Sequence, residues 1–346
     1  MRIRLGLVAV AALLSGAAAA QDRSVTIASW GGSYQEAQSK ALFVPAAAAT
    51  GIAVKEETYG GMSDVRLQVS SGVVTLDIVA SGSGSAARAA AEGLLEKLDY
   101  TIIDISDFYP GLATDYCVGG DVFSTVYAWN TATYGDAGPQ SWADFFDVEK
   151  FPGKRAYRNK VAGALEPALM ADGVPMEEVY KVLDSEEGIE RAINKIRELK
   201  PHIDVFWSSG AQHAQLIKDG EVDMTTGWNG RFDNAAKDGG KVKYSFNQAL
   251  LDYDCFAIPK GAPNKDAAMA FLAEISKPEY QDDLPKYITY GPTNKAAYDT
   301  GVIDAATAAT LPSSPANAAL QLPVSLEWYA KWETIADEMY QEMLTE

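Results

Sequence analysis

Four aromatic residues stand beside glycine or an acid and not at the spacing of a packed core. They are Trp30 in Trp30-Gly31-Gly32, Trp228 in Gly227-Trp228-Asn229-Gly230, Tyr253 in Asp252-Tyr253-Asp254, and Tyr290 in Tyr290-Gly291-Pro292-Thr293-Asn294. An aromatic face with a carboxylate close by is what an alkylammonium ligand requires, because ring quadrupole and charge both stabilise a cation taken out of water. Ordinary packing of each ring is the competing reading. A further segment, Ser81-Gly82-Ser83-Gly84-Ser85, lacks the third glycine of a dinucleotide fingerprint. What it offers is a small-residue loop entering a helix, whose free backbone N–H groups can hold a ligand oxygen.

Signs of catalysis are few. The two histidines, His202 and His213, stand far in sequence from any serine or cysteine in a nucleophile motif, and both read as core or surface residues. The chain has no phosphate-binding loop, no HExxH, no G-x-S-x-G and no cluster spaced to ligate a metal. These features predict a binding protein with no catalysis of its own, no cofactor and no metal. A secreted hydrolase is the alternative from a different class.

The elements that must position the rings alternate between short apolar strands and helices, the order of an α/β protein with mostly parallel sheets. A strand is expected over 25–28, and Ser33 with Glu36 has capping-box spacing, which predicts a helix from about Tyr34. Gly51 should end that helix and Pro45 should kink it. Further strands are expected over 52–58 and 76–80, with helices over 63–70 and from the small-residue loop to Glu92. A long β segment over 123–129 and another over 254–259 bracket a central block, as if the chain leaves one lobe, builds a second and returns. Ser141 should cap a helix; Ile189, Ala192, Ile193, Ile196 and Leu199 mark the buried face of another; and a last helix is expected over 325–344.

Residues 1–20 carry Arg2 and Arg4, then an apolar run ending in three alanines, the pattern of a secretory signal peptide. The run is shorter than the roughly 18 residues of a membrane span. The mature chain, expected to start at Gln21, is long enough for two lobes. Without Arg2 and Arg4, 27 basic residues face 47 acidic ones, a formal charge of −20 that disfavours nucleic acid and anionic lipid. The two cysteines, Cys117 and Cys255, survive signal removal. In an oxidising compartment an isolated pair without CxxC spacing favours a disulfide, with two separate buried thiols as the alternative.

Taken in order, SWGGSY (29–34), LDIVASGSGS (76–85), AAEGLLEKLD (90–99), SWADFFDVEKFPGK (141–154), DGEVDMTTGWNG (219–230), DYDCFAIPKGAPNKDAAMAFL (252–272) and ITYGPTN (288–294) resemble the periplasmic spermidine/putrescine-binding proteins. These belong to the wider extracellular solute-binding family 1 of ABC importers. The resemblance spans nearly the whole mature chain. It implies the two-lobe type II periplasmic-binding-protein fold, with two crossovers and a ligand cleft that closes over the solute. It also implies a periplasmic monomer that hands its solute to an inner-membrane permease. On this pattern lobe 1 spans 21–127 and 259–310, and lobe 2 spans 128–258 and 311–346.

Residue by residue, the match places Trp30, Trp228, Tyr253, Asp254 and Tyr290 at the cleft, with Asp254 as the amine-binding carboxylate. Ser81, Gly82 and Ser83 follow the third strand, where the family's Ser-x-Tyr is replaced by Gly82-Ser83-Gly84. Arg158 stands where polyamine binders carry an acidic pair, and Arg231 follows WNG where they carry a small residue. A buried arginine facing a diamine would cost several kcal/mol as an uncompensated like charge. Arg231 with Asp254 suits a zwitterion such as 4-aminobutyrate, its carboxylate on the guanidinium and its amine on the aspartate. Putrescine or spermidine is the alternative ligand. Arg231 turned away, or paired with Asp233, is the alternative for the residue.

Overall fold

Two long antiparallel strands form the middle of one sheet, and a parallel trio flanks them on each side. In the computed structural model, which describes residues 23–346, the strands are β1 (Ser24–Ser29), β2 (Ala53–Thr58), β3 (Ile78–Gly82), β4 (Ala113–Thr114) and β5 (Cys117–Asn130). They continue with β6 (Arg155–Arg158), β7 (Ile203–Trp207), β8 (Met224–Trp228), β9 (Val242–Ala257) and β10 (Leu322–Pro323). The order is β2-β1-β3-β9-β5-β8-β6-β7, with β4 beside β5 and β10 beside β9. Pairing is parallel within β2-β1-β3 and within β8-β6-β7, and antiparallel where β9 and β5 meet each other and the trios. The signal peptide expected over 1–20 lies outside the described residues.

The β strand expected over 123–129 is twice that length, because Gly119-Gly120-Asp121 interrupts the apolar pattern while the pairing to β9 continues past it through a one-residue bulge. All of β5 is buried, paired to β9 on one edge and to β8 on the other. The strand expected over 254–259 likewise starts at Val242. Hydrophobic cores lie on both sides of this sheet, and they change over along the two long strands. Phe123 packs with Ile27, Phe43 and Phe256, and Tyr253 with Val79 and Ala86. Val126 packs instead with Trp207 and Phe232, and Leu250 belongs with Trp142, Leu165 and Trp328.

Local signals read well at most helix ends. Gly51 closes its helix at φ 67, Ser141 Oγ accepts from the Asp144 N–H, and the five apolar residues of Glu186–Leu199 named above are buried. The last helix runs Leu326–Thr345 with Ser325 as its cap. The first helix departs from expectation: it starts at Gly32, and Ser33 does not cap it. The Gln35 side chain takes that role, accepting from the Gly31 N–H at 3.0 Å. A π-helical turn over Ser39–Phe43 precedes Pro45, which then sits at the start of the following helical segment and not inside it. The small-residue segment is not a loop either: β3 runs to Gly82 and a helix begins at Ser83.

Cys117 and Cys255 form a disulfide with Cα atoms 5.7 Å apart. It joins β5 to β9 diagonally, since Cys117 pairs with Ala257 and Gly119 pairs with Cys255, and no free cysteine remains among the described residues.

Candidate functional site

The parallel strands of both trios end at one cavity. Trp30 follows β1 and Gly82 ends β3; across from them Arg158 ends β6, Ser208 follows β7 and Trp228 ends β8, and all five line a cavity of about 440 Å³. Carboxyl ends of parallel strands are where open α/β sheets bind ligands, because the loops and helix starts there leave backbone and side chains free to converge. Asp252 and Asp254 of β9 and Phe123 and Thr125 of β5 form the floor.

One side of the cavity is acidic and aromatic. Asp254 is 8% exposed, and its carboxyl is held well above the usual carboxylate range, first by burial and then by the charge of Asp252. Tyr34, Arg231 and Trp30 pull it back toward ionisation. Asp252 is raised to about 6 by burial, against a hydrogen bond from the Ser83 hydroxyl and another from the Tyr253 N–H at 2.7 Å. Rings enclose this side. Trp30 and Tyr59 lie 5.2 Å apart, Tyr34 and Tyr290 5.6 Å, and Phe123 and Tyr290 5.8 Å between centroids.

The other side carries two guanidinium groups. Arg231 is 3% exposed, stands 5.8 Å from the Trp228 ring centre and 5.9 Å from that of Tyr34, and donates to the Gly31 carbonyl at 3.3 Å. It pairs with no carboxylate among the described residues. Asp233 is engaged elsewhere, bridging Lys237 at 2.6 Å and accepting from the Thr289 hydroxyl. Two glycines make room for this arginine: a Cβ on Gly210 would lie 2.3 Å from its Nε, and one on Gly32, at φ +59, would lie 3.0 Å from a terminal nitrogen. Arg158 packs 5.2 Å from Trp228 and 5.6 Å from Trp207 and donates to the Ala162 carbonyl. Burial lowers its pKa.

Of the residues expected from sequence, Trp30, Gly82, Arg158, Trp228, Arg231, Asp254 and Tyr290 line the cavity. Three do not. Side chains alternate along a strand, so Tyr253 points away from the face that Asp252 and Asp254 share and packs with Val79 and Cys255. Ser81, paired with Cys255, is buried on the same far side, and Ser83 acts one layer back, on Asp252. Missed were Tyr34, Asp252, and the Arg88, Tyr329 and Glu333 cluster at the far end of the cavity. There the helix over Ser83–Ala91 meets the last helix: Arg88 and Glu333 approach to 3.4 Å, and a Cβ on Gly84 would lie 2.8 Å from the Tyr329 ring. The alternation rule already points to Asp252. Nothing in the last helix distinguishes Glu333 from a surface acid.

His202 is exposed. His213 is buried among Trp207, Trp228 and Phe232 with neither ring nitrogen hydrogen-bonded among the described residues, and burial followed by the two arginines holds it neutral.

Two α/β halves joined by long crossing strands, with a charged and aromatic cavity where their parallel strands end, define the class of periplasmic-type solute receptors. The comparisons agree. A family described as bacterial extracellular solute-binding protein matches residues 41–311, and the chain belongs to that family. It is a substrate-binding protein of an ABC importer and not an enzyme. It is 39% identical over 305 residues to the gamma-aminobutyric acid-binding protein of Pseudomonas aeruginosa, covering 88% of this chain and 86% of that one. The structure of the binding protein MotA from A. tumefaciens B6 in complex with glucopine superposes with a TM-score of 0.90 at 49% identity, over 92% of this chain and 99% of that one. The spermidine/putrescine-binding periplasmic protein of Escherichia coli K12 is more distant, 23% identical over 231 residues and covering 64% of each chain.

Proposed function

We propose that this protein is exported to the periplasm and captures an amine-bearing zwitterion for an inner-membrane permease. The amine seats against Asp254, the carboxylate lies on the Arg231 guanidinium, and Trp228, Tyr34 and Tyr290 enclose the carbon chain between them. The observation that carries this reading is that Arg231 lies in the same cavity as Asp254 with no carboxylate partner among the described residues. A buried guanidinium without a counter-ion is costly, so a ligand that brings a carboxylate is favoured and a diamine is penalised. The 4-aminobutyrate receptor among its relatives supports the same choice.

A second reading within this class is a larger zwitterion, an amino acid joined to a polyol. The cavity of about 440 Å³ lies within the roughly 300–1,000 Å³ of sites that enclose ligands larger than a four-carbon amino acid, and a relative is seen in complex with glucopine. The mixed donors and acceptors of Arg88, Arg158 and Glu333 at the far end would suit hydroxyl groups.

The protein acts as a monomer and binds no nucleic acid. Its lobes divide where the cores change over, between Phe123 and Val126 on β5 and between Leu250 and Tyr253 on β9. On this reading the returning crossover falls near Asp252. A thermal-shift screen of the purified protein against ω-amino acids, amino acid–polyol conjugates, putrescine and spermidine tests the ligand class, since a ligand at 100 times its Kd stabilises by about 2.7 kcal/mol. Stabilisation by a zwitterion and not by the polyamines is expected; the reverse order defeats the proposal.

A further inference from the structure

Asp121 is a buried acid that ligand capture, as described so far, does not use. It is fully buried and lies directly opposite Asp254 in the β5–β9 register. A bulge puts it there. The register steps from Gly119 opposite Cys255 to Asp121 opposite Asp254, leaving Gly120 as the extra residue. Without that insertion Asp121 would fall on the opposite face of the sheet. No side chain fits at the bulge, since a Cβ on Gly120 would lie 2.6 Å from the Phe256 ring. The Tyr34 hydroxyl donates to Asp121 Oδ2 at 2.7 Å, and Oδ1 has no partner among the described residues.

Directly opposed residues of an antiparallel pair carry their side chains on the same face. Two carboxyls so placed and shut off from water do not both ionise, because each charge raises the cost of the other. The charged and titratable groups facing the pair are Tyr34 from the first helix, Asp252 from β9, Arg231 from the helix after β8, Tyr59 from the loop after β2, and Tyr290. Arg231 is the one cation among them.

We propose that Asp121 and Asp254 form a carboxyl pair that holds one proton in the empty cleft and gives it up to solvent when a ligand ammonium seats against Asp254. The proposal rests on the amine end of the ligand reading above. At the amine end the exchange balances: one ammonium enters, one proton leaves to solvent, and the charge there is unchanged, while the ligand carboxylate is met separately by Arg231. Asp121 is thereby a specificity-determining residue, because an analogue with a hydroxyl in place of the amine brings no charge to displace the proton. Burial and the charge of Asp254 push the Asp121 carboxyl well up, in the same sense.

Infrared spectroscopy of the ligand-free protein at pH 6 should show the C=O stretch of a protonated carboxylic acid that disappears in Asp121→Asn. Titration calorimetry with 4-aminobutyrate at pH 6 in buffers of different ionisation enthalpy should report close to one proton released per ligand, falling to a small fraction in Asp121→Asn. The pH midpoint of affinity should move down in Asp121→Asn, which loses the like charge, and up in Tyr34→Phe, which loses a hydrogen bond favouring the ionised form. A merely damaged site would not shift the midpoint in opposite directions. A wild-type spectrum in which Asp121→Asn removes no band, or equal proton release in the two proteins, overturns the proposal. Failure of 4-aminobutyrate to bind contradicts the ligand reading, while the infrared result still decides the shared proton.

Discussion

Arg158 and Arg231 hold their guanidinium carbons 5.2 Å and 5.8 Å from the centre of the same indole ring, that of Trp228. The ring faces offset part of the cost of burying two cations, but neither arginine has a carboxylate within 4 Å among the described residues, and both line the cavity. The acidic groups that would balance them, Asp252 and Asp254, stand on the β9 floor. Separated charges of both signs in one enclosure favour a ligand that is itself doubly charged and neutral overall.

Asp254→Ala should weaken zwitterion binding by about 1.5–3 kcal/mol, the worth of a hydrogen bond to a charged group, or roughly 10- to 150-fold in Kd. Calorimetry on the folded variant checks this, and an unchanged Kd would remove Asp254 from the amine site.

Gly210→Ala should displace Arg231 and the Trp228 ring beside it from their places in the cavity lining. The new Cβ would lie 2.3 Å from Arg231 Nε, and overpacking of this kind costs about 1–3 kcal/mol. Affinity should fall about tenfold or more while far-UV circular dichroism stays the same.

The affinity and stability of the protein should respond to pH in opposite senses. Asp254, held above the usual carboxylate range by burial and the charge of Asp252, and Asp252, raised to about 6, bind protons more readily in the folded protein than in the unfolded chain. The ligand-free protein should therefore lose stability as pH rises from about 4 through 7, read as a falling Tm. Binding of an ammonium needs Asp254 ionised, so affinity should rise over the upper part of that range. A Tm that climbs through this window in the absence of ligand would contradict the assignment.

Removal of the Cys117–Cys255 bond, by Cys117→Ser with Cys255→Ser, should destabilise the protein by roughly 4–5 kcal/mol in the chain-entropy account, given the 138-residue separation. Denaturant unfolding measures the loss. Mass spectrometry of the unreduced mature protein should show two hydrogens fewer than the free dithiol.

Much of the site was legible because its residues sit at strand ends, where the sequence switches abruptly from apolar runs to glycine and aromatic residues. Trp30, Trp228 and Tyr290, which line the cavity, carry that signal. Tyr253 does not line the cavity although it adjoins Asp254, because strand alternation sends neighbours to opposite faces. Asp121 was invisible for a different reason: its orientation depends on a bulge, and a bulge is a property of the pairing between β5 and β9. The contribution of Tyr329 and Glu333 arises from a helix at the far end of the chain docking on Gly84, a contact with no local signal. In the first helix, Ser33 has the cap spacing, but the Gln35 side chain reaches the Gly31 N–H from inside the helix and the start moves two residues earlier.

The central claim is that the cleft selects a zwitterion through Arg231 and Asp254. Calorimetric titration of the purified wild-type protein and of Arg231→Ser with 4-aminobutyrate, glucopine and putrescine tests it most directly. A zwitterion should bind wild type more tightly than putrescine does, and Arg231→Ser should weaken the zwitterion while admitting putrescine. Tighter binding of putrescine by wild type, with the order untouched in Arg231→Ser, would contradict the account.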